Sequence, residues 1–281
     1  MSSLSIRSAE PSDRDLVSAL LTNAQLKHIH LDWVPALDLL ETQLFMLALQ
    51  NDLPVACLAA PPEPITLAWI RVFAAAQEKN VASLWDALWS AIHKNSQAMG
   101  IEIIYSLSLQ AWYEPLLNRS GFVRSNEVIF YEWIGSAGVL ERDRTINIRR
   151  MRQSDLATVE EIDHDAFAPA WRNSRETLAA ASNLSTYSTV AEYEQELVGY
   201  QISTASALGA HLARLAVRKA YQRRGIGRAL VVDMLKHVAR RGFDRVTVNT
   251  QTDNLGSQQL YSALGFQPTG QRYPMYAQSL R

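Results

Sequence analysis

Scarce features of this chain exclude several classes of protein. Cys57 is the single cysteine, so neither an intramolecular disulfide nor a cysteine-based zinc site can form, which fits a reducing cytoplasm. No apolar run reaches the roughly 18 residues of a membrane span, and the opening segment lacks the pattern of a signal peptide. The net charge is −1, whereas nucleic-acid binders and membrane-surface proteins usually have an extreme charge balance. We therefore expect a cytoplasmic protein without a membrane or nucleic-acid partner.

What is present is typical of a globular protein. The 281 residues are 48% hydrophobic and 20% charged, and this length favours two domains. Cys57 lies in the apolar run "LPVACLAA" and is expected to be a small core residue.

Two halves of the chain repeat one order of signals, as an internal duplication does. Each half opens with a short strand and a Ser/Asp helix start, in "LSIRSAEPSDRDLVSALL" and in "INIRRMRQSDLATVEEI". A long amphipathic helix then ends at Gly100 or Gly242, where glycine tolerates the left-handed backbone of a helix end. A β-rich run and a short helix follow, and the helix closes on a Gly-Phe pair that ends at Phe122 or Phe266. This order predicts an α/β fold with a central mixed sheet in each half.

The linker between the halves is predicted at "GSAGVLERDRT", Gly135 to Thr145, between two strand-like segments. We therefore predict one domain at residues 1–138 and a second at 145–281.

The halves differ in glycine content at one turn. No glycine occurs from Met1 to Met99. In the first half the fourth strand, "ITLAWIRVF", is followed by the turn "AAAQEKNVAS" before the long helix. The second half has "RKAYQRRGIGRAL" at the same place, after the strand "HLARLAVR".

The segment Gln222 to Gly227 is predicted to be a strand-to-helix turn. The first amides of a helix lack intrahelical acceptors and lie at the positive end of the helix dipole, so they can bind phosphate. Gly225 and Gly227 remove side chains that would keep a pyrophosphate away from the backbone, and nearby arginines add charge-assisted contacts. The alternative is a solvated arginine turn with a glycine at the helix entry, and we favour phosphate binding.

Two other phosphate motifs do not match. A Walker loop has Lys-Ser/Thr after its last glycine, where this chain has Arg228-Ala229. The dinucleotide-binding fingerprint needs a third glycine, where this chain has Leu230.

The second half resembles the GNAT superfamily of acetyl-CoA-dependent N-acetyltransferases. Gln222 to Gly227 matches the family signature Gln/Arg-x-x-Gly-x-Gly/Ala, and "DNLGSQQLYSALGF" (Asp253 to Phe266) resembles the last conserved block of the family. The preceding "LAVRKAYQ" has Lys219 where proline is common. The first half resembles this fold only in its layout, and the tandem arrangement is similar to that of mycothiol synthase and related two-domain GNAT proteins.

The resemblance implies two kinds of contact with acetyl-CoA, the cosubstrate. A strand pairs through its backbone with the pantetheine arm and polarises the thioester carbonyl, and a loop binds the pyrophosphate. The implied cosubstrate-binding residues are Leu215, Ala216, Val217, Gln222, Arg223, Arg224, Gly225, Ile226, Gly227, Arg228 and Asn254.

Asn254 and Tyr261 each have a structural alternative. Asn254 matches an asparagine that contacts the cosubstrate arm, and with Asp253 it could instead cap the helix that starts near Leu255. Tyr261 matches the tyrosine that protonates the departing thiolate as general acid, which a phenol of pKa about 10 can do. The alternative is packing in an apolar cluster with Phe266.

The general base is not assigned. In the ribosomal-protein N-terminal acetyltransferases a glutamate on the fifth strand serves, and the corresponding residue here is Asn249, which cannot take a proton. The candidates that the sequence offers are Asp163, His164, Asp165, Glu192 and His211. Each is more readily explained as a solvated or capping residue.

The first half lacks both the glycine loop and the acid, because Leu117 stands where Tyr261 stands in the second half. We expect a degenerate GNAT-like domain that is structural or covers the substrate.

Three other features have structural explanations. "HIHLDW" (His28 to Trp33) resembles a metal fragment, but histidines at i and i+2 share no helix face, so we expect a helix end or loop and no metal site. Trp85 and Trp89 are expected in a core. Trp171 lies in a substrate-side loop and either lines an acceptor pocket or packs on the surface.

We therefore expect an acyltransferase that moves an acetyl group from acetyl-CoA to a primary amine by direct attack in a ternary complex. The alternative is a non-catalytic CoA-binding or interaction module. A nucleic-acid binder using the arginines is disfavoured by the near-neutral charge. The acceptor, a small-molecule or peptide amine, and the oligomeric state are not predicted, because substrate loops in this fold vary most.

Overall fold

The computed structural model describes residues 4–30, 33–63, 66–135, 141 and 145–281. The chain divides into two compact units, Met1–Asn126 with Tyr273–Arg281, and Glu127–Arg272. The predicted boundary at residue 138 and most of the predicted linker lie outside the described residues. The domains at 1–138 and 145–281 stay a prediction.

The first unit contains a five-stranded antiparallel sheet in the order β1-β3-β4-β6-β2. Its strands are β1 (Leu4–Ser8), β2 (Leu26–Ile29), β3 (Phe45–Gln50), β4 (Leu53–Ala59) and β6 (Val72–Ala75), and β5 (Leu67–Trp69) lies outside it. The helices of this unit are α1 (Arg14–Asn23), α2 (Val81–Ala98) and α3 (Glu114–Arg119).

Both faces of this sheet are covered, which explains why β3 and β4 are apolar at nearly every position. Phe45 and Leu47 pack in the cluster that contains Val17 of α1. Met46 and Ala48 pack in the cluster that contains Trp85 of α2. Successive side chains of a strand point to opposite faces, so the two helices cover opposite sides.

The segment predicted as a single fourth strand, "ITLAWIRVF", forms two strands, so that prediction is wrong. β5 pairs in parallel with β7 (Ile103–Leu107), whereas β6 pairs with β4 and β2. The change of partner occurs at Ile70 and Arg71, whose amides donate to Tyr105 O and Ala59 O respectively.

The C-terminal segment completes the first unit. β14 (Gln267–Ser279) pairs antiparallel with β7 from Met275 to Ser279. The Tyr276 hydroxyl donates to Glu114 at 3.0 Å and the Gln97 amide to Leu280 O at 3.0 Å. The last nine residues of the chain therefore belong to the first unit, and Tyr276 and Leu280 pack in its core.

The second unit has the strand order β8-β13-β12-β11-β10-β9, in which only β12 and β13 are parallel. The strands are β8 (Val123–Ile134), β9 (Asn147–Arg150), β10 (Tyr187–Tyr193), β11 (Glu196–Ser206), β12 (Gly209–Val217) and β13 (Arg245–Gln251). The helices are α4 (Leu156–Ala166), α5 (Arg175–Leu184), α6 (Ile226–Arg240) and α7 (Leu255–Ala263).

The long helix α6 buries one apolar face against this sheet. Val231, Met234, Leu235 and Val238 pack in a cluster with residues of β12, β13 and α7. Their spacing, i, i+3, i+4 and i+7, is that of one face of the long amphipathic helix predicted before Gly242. Arg241 and Gly242 end the helix, and Gly242 has a φ of 85°, the left-handed conformation predicted for it.

Several sequence predictions can be compared with this fold. Two sheets flanked by helices confirm the α/β class. Cys57, Trp85 and Trp89 are buried, as expected. His28 lies in strand β2 and is buried, so the expectation of a helix end or loop there is wrong. Leu31 and Asp32 of the same motif lie outside the described residues. Within the described part of the chain, no helix is both long and apolar enough to cross a membrane.

Candidate active site

The second unit opens a gap between β12 and β13. Their parallel pairing joins Ala210–Leu212 to Val246–Val248 and then ends, while β12 stays paired to β11 as far as Val217. Within the described part of the chain, no strand pairs with the β13-facing edge of β12 beyond Leu212. A cavity of about 630 Å³ lies there, with Leu215, Ala216, Val217 and Gln251 in its lining. The backbone of β12 is therefore available to an extended ligand that enters the gap.

The glycine loop follows this strand and forms another part of the cavity wall. Gly225 is the N-cap residue of α6, with a φ of 81°, and as a glycine it supplies no capping side chain. Ala229 N donates to Gly225 O, so the amides of Ile226, Gly227 and Arg228 are those that a helix start leaves without intrahelical acceptors. The positive end of the α6 dipole thus lies beside the cavity, as an anion site requires.

The two glycines of the loop have different structural roles. A Cβ placed on Gly225 would meet nothing within 4 Å, so the left-handed φ is what favours glycine there. A Cβ placed on Gly227 would lie 3.3 Å from Leu260 Cδ2 and 3.8 Å from Val217 Cγ2. Gly227 therefore allows α6 to approach Leu260 of α7 closely.

The three arginines of the loop are exposed and have different partners. Arg223 donates to Gln259 Oε1 at 3.4 Å, and Arg228 to Glu141 O at 2.8 Å. The Arg224 guanidinium lies 5.3 Å from the ring centroid of Tyr221. Arg223 and Arg228 line the cavity, whereas Arg224 does not. Two of the three cations are thus placed to meet an anion in the cavity.

Asn254 begins α7 and also lines the cavity. Its side-chain oxygen accepts from Ser257 N at 3.1 Å, which makes it the helix cap. Because Asn254 also lines the cavity, the same residue can contact a ligand there. The capping alternative is therefore confirmed, and it is compatible with a second role.

Tyr261 is buried in the apolar core of the second unit, with 4% of its surface exposed. Its ring lies 5.6 Å from that of Phe266 and 6.2 Å from that of Tyr131, and it is not among the residues that line the cavity. Burial raises the pKa of the Tyr261 phenol, and a hydrogen bond with Ser257 opposes this rise. Ser257 lines the cavity, so the hydroxyl of Tyr261 lies one residue behind the wall.

The candidate bases on α4 are engaged in other contacts. Asp163 is fully buried and accepts from Arg214 Nε at 2.8 Å and from the Tyr200 hydroxyl. His164 contacts Asn173 O at 3.1 Å, and Asp165 accepts from Lys219 N at 2.6 Å. These contacts give each side chain a structural role.

The other two candidates lie on strands. Glu192 accepts from Arg149 at 2.6 Å and from Asn147 at 2.7 Å, and the Arg149 contact lowers its pKa. His211 bonds Thr247 Oγ1 through Nδ1 at 2.8 Å. Burial lowers the pKa of His211, although a hydrogen bond with Asn249 opposes the change. His211 therefore contacts the residue that matches the glutamate position of the ribosomal-protein enzymes.

Most of the predicted cosubstrate residues lie together. Those in the cavity lining are Leu215, Ala216, Val217, Gln222, Arg223, Gly225, Gly227, Arg228 and Asn254. Ile226 is instead buried in the core beside the cavity. The assignment of these residues to acetyl-CoA stays a prediction.

The sequence did not indicate several other lining residues, and it left two alternatives for Trp171. Trp171 lines the cavity together with Phe167. Trp171 ends the 3-10 turn Pro169–Trp171, and Phe167 lies between α4 and this turn. Phe167 was missed, although two aromatic residues near Pro169 in "AFAPAWRNS" were a usable signal. Ser257, Gln259 and Leu260 were also missed. Only Ser257, three residues after Asn254 on a helix, could have been indicated by that spacing.

The corresponding region of the first unit has a different character. A 3-10 turn (Glu78–Asn80) leads into α2 without any glycine. Leu117, the counterpart of Tyr261, is a fully buried core residue. The glycine loop of the second unit thus has no equivalent at this turn.

Comparison with known proteins assigns a family to the region around the cavity. Residues 149–266 match the family model described as the acetyltransferase (GNAT) family. N-acetyltransferase 8B of Rattus norvegicus is 38% identical over 63 residues, which are 22% of this chain and 28% of that protein. N-acetyltransferase family 8 member 3 of Mus musculus is 33% identical over 70 residues, which are 25% of this chain and 31% of that protein. The matched segment spans less than a third of these curated relatives.

Solved structures resemble the whole chain in fold. A GCN5-related N-acetyltransferase from Sphaerobacter thermophilus has a TM-score of 0.64 at 15% identity, with 99% of this chain and 96% of that chain covered. A tandem GNAT protein from the clavulanic acid biosynthesis pathway has a TM-score of 0.66 at 13% identity, with 99% of both chains covered. At these identities the likeness concerns the fold, and it extends over both units.

Proposed function

We propose, from the premise that residues 149–266 form an acyltransferase domain of the GNAT family, that this chain transfers an acetyl group from acetyl-CoA to a primary amine. The matched segment covers only part of the curated relatives, so cosubstrate, acceptor and activity are inferred from the site.

One observation carries the proposal. The edge of β12 beyond Leu212, which no strand pairs within the described residues, and the N-terminus of α6 border one cavity. Acetyl-CoA combines an extended, amide-containing arm with a pyrophosphate, and these two features of the wall match those two parts. The β12 backbone would pair with the arm, and the α6 amides with Arg223 and Arg228 would bind the pyrophosphate.

In this proposal β12 also supplies the electrostatic contribution to the reaction. A backbone N–H near Leu215 to Val217 would donate to the thioester carbonyl oxygen, where negative charge develops as the amine attacks. A preorganised donor in a site that excludes water stabilises such charge strongly. The acceptor would attack the thioester directly while both substrates are bound.

Tyr261 is proposed as the general acid for the departing thiolate. A pKa raised by burial keeps the phenol protonated near pH 7, as a donor must be. A thiol has a pKa near 8.5, which is below that of the Tyr261 phenol, so proton transfer from the phenol to the thiolate is uphill. The transfer therefore depends on the position of the phenol, which is hydrogen-bonded to Ser257. The general base stays unassigned; among the candidates, His211 is a half-buried imidazole whose lowered pKa favours the neutral form.

The test is a transfer assay with the purified 281-residue chain. Acetyl-CoA would be incubated with peptides of free N-terminus, amino sugars, polyamines and arylalkylamines, with free CoA and acetylated product both measured. We expect CoA release that depends on the amine. Acetyl-CoA binding without transfer to any amine would favour the alternative, a non-catalytic CoA-binding or interaction module.

The first unit is proposed to be a degenerate domain that supports or covers the substrate site, since it lacks the glycine loop and the tyrosine. A cytoplasmic location is proposed from composition, because one cysteine in 281 residues fits a reducing compartment.

A further inference from the structure

Two aromatic side chains lie at the end of the cavity that β12 forms. Phe167 and Trp171 line the cavity together with Ala166 and Ala168. The Arg214 guanidinium lies 3.8 Å from the centroid of the Phe167 ring and donates to Trp171 O at 2.5 Å. Because Arg214 directly precedes Leu215, this aromatic wall (Phe167 and Trp171) lies beside the β12 backbone rather than beside the glycine loop.

Buried contacts fix the segment that carries the aromatic wall. Asp163 accepts from Arg214 Nε and, through its other oxygen, from Asn173 N at 2.9 Å. Arg172 Nε donates to Phe167 O at 3.2 Å. Asp163 precedes the segment that carries the wall and Asn173 follows it, and Asp163 connects Asn173 to Arg214 of β12. These hydrogen bonds hold the wall in place before a ligand binds, as an effective binding surface requires.

The charges near the wall cancel. The Arg214 guanidinium is paired with Asp163, whose side chain has no exposed surface. This guanidinium is therefore not available to a substrate carboxylate. Among the described residues that line the cavity, Asp253 is the one carboxylate, and it lies at the start of α7. A polyamine needs several carboxylates and an amino sugar needs many polar partners, whereas the wall offers aromatic faces and two alanines.

We propose that the acceptor is a primary amine attached to an aromatic or branched apolar group, and that this group packs on Phe167 and Trp171. The proposal rests on the proposed function and specifies its substrate class. The apolar group moves out of water and packs against the wall. This burial of apolar surface provides the binding free energy. The amine then points toward the thioester position on β12.

The experiment measures binding and transfer separately, in the 281-residue chain. Calorimetry in the presence of saturating CoA would give the Kd of 2-phenylethylamine, spermidine and glucosamine, and the transfer assay would give kcat and KM for each. We expect 2-phenylethylamine to bind at least about tenfold more tightly than the other two, since burial of a phenyl group is worth more than one decade of affinity.

The Trp171→Ala variant should remove this preference. Its KM for 2-phenylethylamine should rise about tenfold, its kcat should change little, and its Kd for acetyl-CoA should stay unchanged. Trp171→Phe should recover most of the loss. Trp112→Ala, in the first unit, is the matched control and should keep the wild-type preference.

The outcomes separate this inference from the proposed function. Tight, Trp171-dependent binding of 2-phenylethylamine without CoA release would support the aromatic wall and refute the transferase activity. Equal or tighter binding of spermidine or glucosamine would overturn the inference. A Trp171→Ala variant that loses acetyl-CoA affinity instead of amine affinity would also overturn it, because the wall would then belong to the cosubstrate arm.

Discussion

Arg214 of β12 and Asp163 of α4 form a buried ion pair, in which Arg214 Nε donates to Asp163 Oδ2 at 2.8 Å. The Tyr200 hydroxyl donates to the same carboxylate oxygen. Burial alone would lower the pKa of Arg214, but its neighbours Tyr200 and Asp163 raise it overall. The pair joins the strand that carries the proposed thioester site to the segment that carries the aromatic wall.

Asp163→Ala should destabilise the second unit strongly, because it leaves a buried guanidinium without its partner. The expected loss in the free energy of unfolding is about 3–5 kcal/mol, measured by urea unfolding at pH 7. Glu161→Ala is the matched control, since it removes the exposed partner of Arg218 and should change stability by less than about 1 kcal/mol. Equal effects of the two substitutions would contradict the structural importance of the buried pair.

Substitutions at Asn254 should separate its capping role from its proposed contact with acetyl-CoA. Asn254→Ala removes the hydrogen bond to Ser257 N and should cost about 1 kcal/mol of stability. Asn254→Ser keeps a capping oxygen but shortens the side chain that faces the cavity, so stability should be nearly unchanged while the Kd for acetyl-CoA rises. Thermal unfolding and calorimetry on the same samples would test this, and unchanged affinity in Asn254→Ser would leave capping as the sole role.

Tyr261→Phe should lower kcat by tenfold or more, in line with typical general-acid contributions, while acetyl-CoA affinity stays nearly unchanged. Tyr131→Phe is the matched control, because it also removes one hydroxyl, bonded to Gln258 at 3.3 Å, from the same core. Steady-state kinetics with any amine acetylated by the wild type would measure both. If both variants retain wild-type turnover, Tyr261 is a packing residue.

Acidification should destabilise the first unit through His28. Burial lowers the pKa of His28 to about 4, whereas an unfolded histidine titrates near 6.5. The unfolded chain therefore binds the proton first, and stability falls as pH drops from about 6.5 to about 4, by about 3 kcal/mol for this residue. Below pH 4 the folded state is protonated too, and the contribution levels off.

The His28→Phe variant isolates this effect, since phenylalanine keeps a ring that can stack on Tyr113, as His28 does at 4.3 Å. Urea unfolding at pH 7 and pH 5 should show a smaller loss in this variant than in the wild type. His93→Phe on α2 is the control. Identical pH dependence in His28→Phe and the wild type would refute the prediction.

Local signals in the sequence were sufficient for much of the fold and for part of the cavity. Apolar spacing predicted the amphipathic helix α6, and Gly242 adopts the positive φ that its position at the helix end predicted. Such features depend on residues close in sequence, where propensity and periodicity act directly.

Features that depend on distant partners were not predictable. The break between β5 and β6 arises because Ile70 and Arg71 bond to different strands, and no residue in "ITLAWIRVF" signals it. The pairing of the C-terminal segment with β7 is set by the tertiary structure, since an alternating strand fits many edges. Burial of Tyr261 behind Ser257 likewise follows from packing rather than from its motif.

The central claim is that the N-terminus of α6 binds the pyrophosphate of acetyl-CoA, and calorimetry on two glycine variants tests it most directly. Both glycines have a positive φ, so Gly225→Ala and Gly242→Ala each force alanine into the left-handed conformation, which costs about 1–2 kcal/mol. A Cβ at either position would meet nothing within 4 Å, so no steric clash adds to this strain. The two glycines lie at opposite ends of α6, and only Gly225 lines the cavity. We predict that Gly225→Ala weakens acetyl-CoA binding about tenfold while Gly242→Ala binds as the wild type does. Equal Kd values for the wild type and both variants would contradict the claim.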